Sequence, residues 1–109
     1  MIFNMVGSGG GVPLISRSLG QSTADISALL TISDLNFEPV FLIFKPVTGT
    51  SSSKYFMFDN FGGEWRRYYD SNSGYIATNV YTTSNSITVD MYGHDIGSRV
   101  CNYLVMGYQ

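Results

Sequence analysis

The residues able to do chemistry form a short set. His94, the only histidine, stands between Gly93 and Asp95, with Asp90 four residues earlier. Carboxylates beside an imidazole can chelate a cation, and they also supply two of the three parts of a catalytic triad. A triad needs in addition a serine held on a sharp strand-to-helix elbow, and no Gly-x-Ser-x-Gly sequence occurs. The Gly-flanked setting of His94 points to a polar loop. Asp59 and Glu64 bracket the segment Asn60-Phe61-Gly62-Gly63, and paired carboxylates can hydrolyse glycosides. A shallow hairpin, however, offers neither the cleft nor the desolvation that raises one carboxyl of such a pair. Cys101 is a lone thiol in an apolar stretch, which reads as buried packing. The expectation is a chain that is not an enzyme, with no catalytic residue, no metal site and no cofactor.

Gly7-Ser8-Gly9-Gly10-Gly11 follows an apolar start and invites comparison with a dinucleotide loop. The third glycine of that fingerprint falls on Val12, Pro13 sits where the helix has to begin, and no βα units follow. Gly7, Gly9, Gly10 and Gly11 are expected instead to contact neighbouring subunits, where backbones approach closely. The densest cluster is Trp65-Arg66-Arg67-Tyr68-Tyr69. On a strand, Trp65, Arg67 and Tyr69 share one face while Arg66 and Tyr68 share the other. Aromatic and Arg side chains dominate protein interfaces and also suit sugar rings. These five residues are the expected subunit or ligand contact, with core packing as the competing reading.

The elements that must carry these residues are mostly strands. Residues 1–6 read as a short strand and 12–15 as an extended segment. Residues 22–30 are the one candidate helix, capped by Ser22 or Thr23 with Asp25 in its first turn, although 28–32 reads equally well as a strand. Residues 39–44 are apolar on both faces, as in a strand covered from both sides. Residues 54–59 and 64–70 flank a four-residue hairpin connection, and Ser71-Asn72-Ser73-Gly74 is the next turn. Residues 75–82, the alternating 86–90 and the apolar 100–106 complete the pattern. About eight short strands separated by turn clusters predict an all-β fold, an antiparallel β-sandwich of jelly-roll-like type. The expected organisation is one domain over 1–109, with 1–20 a Gly-rich arm engaged in subunit contacts.

Composition narrows the partners. The 109 residues hold six Lys or Arg against eight Asp or Glu, a net charge of −2, so no electrostatic footprint for nucleic acid exists. Charged residues make up 13%, about half the usual share, and 15% are aromatic. Disorder requires the opposite balance. A surface this poor in charge is expected to face other protein. One cysteine permits no internal disulfide, residues 1–4 lack the features of a signal peptide, and the longest apolar run is far short of a membrane span. The expected chain is soluble, made in the cytoplasm and not inserted in a membrane.

Three segments carry a resemblance. Leu35-Asn36-Phe37-Glu38-Pro39-Val40-Phe41-Leu42-Ile43-Phe44 resembles a strand common in small tail- and fibre-associated β-sandwich domains of bacteriophages. Ser86-Ile87-Thr88-Val89-Asp90 is similar to a later strand of those domains, and Asn102-Tyr103-Leu104-Val105-Met106-Gly107 to their closing strand. The Gly-rich stretch near the start also resembles phage virion proteins. The match spans about residues 35–107 and departs from the pattern in the bulky Leu104-Val105 pair and the aromatic insert at 55–69. The resemblance implies a virion structural module, a homo-oligomer meeting other virion proteins on a tail or tail fibre. Capsid decoration, a head fibre and recognition of a host-surface glycan are its alternatives.

Overall fold

A computed structural model of the chain describes residues 15–68 and 74–109. The described residues hold nine strands: β1 (Ile15–Thr23), β2 (Leu29–Ile32), β3 (Glu38–Pro46), β4 (Phe56–Asp59), β5 (Arg66–Tyr68), β6 (Tyr75–Ile76), β7 (Val80–Thr83), β8 (Ser86–Asp90) and β9 (Val100–Tyr108). They form a six-stranded sheet of order β1-β9-β3-β4-β5-β6 and a three-stranded sheet of order β2-β8-β7, with every pairing antiparallel. The expected β-sandwich is the observed architecture.

The core lies between the sheets and follows from the two-residue period of strands. Leu42 and Phe44 of β3, Phe56 and Phe58 of β4, and Cys101 and Val105 of β9 point inward and are buried. They meet Leu30 and Ile32 of β2 and Ile87 and Val89 of β8 in one cluster with Met91 and Ile96. Phe44 stacks on Phe56 and Phe58, with ring centroids 5.3 and 6.3 Å away. The small sheet covers only part of the larger one, whose β5 and β6 extend past β7 and β8.

Two expectations near the amino terminus are corrected. Residues 22–30 form no helix. Asp25 captures the local backbone instead: its Oδ1 accepts from the amides of Ser27 (2.8 Å) and Leu29 (3.0 Å), and its carbonyl accepts from Ala28. Ala28 has a φ of 67°, so the chain reverses there and enters β2. The strand reading of 28–32 holds, since Leu30 and Ile32 are buried while Thr31 is exposed. Residues 15–20, expected in an arm, lie in β1, which pairs with β9 along nine residues. The expected strand at 1–6 and the glycines at 7–11 lie outside the described residues.

Among the described glycines, Gly107 of the last strand leaves the least room for a side chain. Gly107 is buried against the irregularity between Pro39 and Phe41. A Cβ at Gly107 would collide with the carbonyl of Glu38 and stand 2.6 Å from the Phe37 ring. Backbone cannot swing away as a side chain can. Gly107→Ala is therefore expected to cost about 2–3 kcal/mol through overpacking, lowering the melting temperature by roughly 10–15 °C; an unchanged thermal melt would show that β9 and β3 yield freely.

Candidate functional site

The residues with chemical potential are dispersed and engaged in turns. Asp95 ties the loop after β3 to the loop before β9. Its Oδ2 accepts from the Thr50 amide (2.9 Å) and hydroxyl (3.0 Å), while Arg99 donates from Nε to Oδ1 and from Nη2 to Oδ2, each at 3.2 Å. Arg99 also reaches Thr48 Oγ1 at 3.0 Å. The Thr50 amide first, then Arg99, hold the Asp95 carboxyl below its ordinary range. A carboxylate so depressed stabilises the fold at neutral pH, and that contribution disappears as pH falls below about 4. Asp95→Asn is expected to melt lower than the parent at pH 7 and to match it near pH 2; an equal gap at both pH values would contradict this role for the network.

His94 lies edge-on to Phe56, with ring centroids 5.2 Å apart, and burial lowers its pKa first, followed by the charges of Arg67 and Lys54. Asp90 Oδ1 accepts from the Tyr92 amide at 3.0 Å. Asp90, His94 and Asp95 thus each serve a different turn contact. Asp59 and Glu64 stand at the two ends of the expected hairpin, closed by a Gly63 amide to Asn60 carbonyl bond of 2.9 Å. Glu64 pairs with Arg66 at 3.3 Å. Cys101 is fully buried, and burial pushes its thiol up to about 11, as expected of a packing cysteine.

The aromatic and Arg cluster divides between environments. Trp65 packs against the core, with its carbonyl accepting from the Ala77 amide at 2.8 Å. Arg67 pairs with Phe58 and so lies on the inner face of the large sheet, beyond the small sheet's cover. There it joins Tyr75, Asn79, Asp90 and Tyr92 around a groove of about 440 Å³. Tyr75 and Tyr92, which sequence reasoning did not single out, are the exposed aromatic rings there, whereas Trp65 is partly buried. Arg66 and Tyr68 lie on the opposite, outer face, where Asp59 bonds the Tyr68 hydroxyl and raises its pKa. Tyr69 lies outside the described residues.

That outer face is the chief surface feature. Strand register places Leu19, Leu104, Ile43, Met57 and Tyr68 in one row across β1, β9, β3, β4 and β5. The next row runs Arg17, Met106, Phe41, Asp59 and Arg66. Phe61 lies parallel to Phe41 at 6.3 Å, and Ile15 and Leu19 are about two-thirds exposed. Polar groups edge this apolar centre: Gln21 bonds Asn102 at 2.7 Å, and Lys45 lies over the Tyr55 ring. The outer face of the small sheet differs. There Thr31 and Thr88 bond each other at 2.9 Å beside Tyr81, the hydrophilic dress of a sheet that meets water.

Comparison with protein-family models, curated proteins and solved structures found no match. No helix among the described residues is long and apolar enough to cross a membrane.

Proposed function

We propose that this chain is a structural subunit of a bacteriophage virion, a small tail- or tail-fibre-associated β-sandwich that works by protein–protein contact. The observation carrying the contact role is the outer face of the six-stranded sheet, apolar at its centre and polar at its rim. Isolated exposed apolar residues are ordinary, but a contiguous patch framed by polar groups is the anatomy of an interface. The low charge of the chain has the same physical meaning, because surface committed to a neighbour needs no strong hydration.

The virion part of the reading rests on the three segments that resemble phage tail domains. Two of them lie in the neighbouring strands β3 and β9, which present Phe41, Ile43, Leu104 and Met106 outward. The third is β8, at the centre of the small sheet. The likeness therefore falls on the middle of the sandwich and on the strands that build the outer patch. Mass spectrometry of gradient-purified particles of the encoding phage should find this chain at a fixed ratio to the other virion proteins. Particles that lack it would contradict the proposal.

A further inference from the structure

We infer that the occupant of the outer face is a second copy of this chain, packed about a two-fold axis that runs along the strands. The inference rests on the contact role proposed above and names the partner. Two observations select a second copy.

The first is size. The face spans five strands from β1 to β5 at about 4.8 Å spacing and runs roughly 25 Å along the longest of them. Because β4 and β5 are only four and three residues long, its projected area is roughly 450 Å², and side chains standing on a sheet expose more than the projection. That is over half of the ~800 Å² each partner contributes to a standard stable interface.

The second is the placement of charge. Arg17 stands on β1 at one side of the patch, exposed, with no ion-pair or hydrogen-bond partner among the described residues. In the same row, toward the other side, stands Asp59 on β4, with Glu64 in the adjoining hairpin. Arg66 stands between Asp59, its cross-strand neighbour, and Glu64, its 3.3 Å partner, so the three leave that side one net negative charge. Stacked sheets keep their strands within about 30° of each other. A two-fold axis along the strands preserves the rows but reverses their left-to-right order. With the axis between β9 and β3, Arg17 of one copy lies over Asp59 on β4 of the other, and the symmetry makes the same pair twice. Between the two pairs, Leu104 of one copy meets Ile43 of the other, and Met106 meets Phe41. A foreign partner would need to reproduce this antisymmetric pattern, whereas a second copy supplies it.

Sedimentation equilibrium of the intact chain is the test, run beside thermal melts so that unfolded variants are recognised. The parent chain is expected to form a dimer with a micromolar or tighter dissociation constant. Arg17→Asp and Asp59→Arg should each weaken it at least ~10-fold, and combining the two should restore it to within about threefold. Both sites are on the surface, and Leu104→Lys at the patch centre provides a further break that leaves both charges in place. A folded parent that stays monomeric at about 100 μM, or single reversals without effect, or a double reversal no better than the singles, would overturn the inference. Particle incorporation separates this from the broader proposal. A monomeric parent whose incorporation is still lost in Leu104→Lys uses the face for a different virion protein. Incorporation that survives Leu104→Lys removes the contact role itself.

Discussion

Phe44→Ala is expected to be among the most destabilising substitutions in the chain, at about 3–5 kcal/mol. The ring is 1% exposed and stacks on two other buried phenylalanines, Phe56 and Phe58, in the layer where the two sheets meet. Truncation removes the apolar area of the ring and also leaves a cavity, because rings held by two hydrogen-bonded strands cannot follow it inward. For a domain of this size the melting temperature should fall by roughly 15–25 °C. Denaturant titration would show the same loss as a lower midpoint at unchanged slope. A loss below about 1 kcal/mol would mean that the Phe stack is not the centre of the core. The neighbouring residue provides a control, since Ile43 points to the outer face and its truncation leaves no sealed cavity in the isolated chain.

Leu104→Lys is expected to have the largest effect on assembly and little effect on the isolated fold. Leu104 lies at the middle of the outer patch, between Leu19 of β1 and Ile43 of β3. In a free subunit, the lysine stem lies along its neighbours while the ammonium reaches water, so stability should change by under about 1 kcal/mol. In an assembled subunit the same ammonium would be enclosed without a counter-charge, a cost of several kcal/mol. Incorporation into particles should therefore fall by ~100-fold or more while the melting curve of the purified variant stays close to that of the parent. Normal incorporation would show that the face meets only solvent. The neighbouring Val105→Lys should behave in the reverse sense, failing to fold, because Val105 points into the core.

The pairing of these two substitutions shows where sequence reasoning succeeds and where it stops. Strands with strong local signals were legible: β3 by its apolar run, β8 by strict alternation, and the β4–β5 hairpin by Asn60 and two glycines. β1 was not, because its inward residues are Ser16, Ser18, Gly20 and Ser22, too small to leave an apolar rhythm. Gly20 is small for a tertiary reason. A Cβ on Gly20 would stand 2.9 Å from the Tyr103 hydroxyl, which fills the space there. The candidate helix at 22–30 does not form because Asp25, which reads as a first-turn residue behind a Ser22 or Thr23 cap, holds the turn that leads into β2 instead.

The candidate surface was legible in part. Apolarity on both faces of 39–44 is visible, and by itself it predicts cover from both sides. Among the described residues the small sheet covers one side alone, so the outer residues change from core to contact surface. The cluster at 65–69 carried the opposite ambiguity. Its alternation placed Arg67 opposite Arg66 and Tyr68, yet no local signal could show that Trp65 packs inward or that Tyr75 and Tyr92 would be the rings beside Arg67. Those placements depend on how far the large sheet extends past the small one.

Methionine oxidation reports whether the outer face is covered in the particle, because the chain carries its own probes. Met57 and Met106 lie on the outer face, whereas Met91 is fully buried in the core. Peroxide converts an accessible thioether to sulfoxide and spares an enclosed one. Rates should be compared between purified particles and the isolated Leu104→Lys chain, with Met91 as the internal reference. Met57 and Met106 are expected to react at least ~10-fold more slowly in the particle, while Met91 stays protected in both. Equal rates for Met57 and Met106 in the two samples would contradict the account, since the outer face would then be open to water in the assembled state.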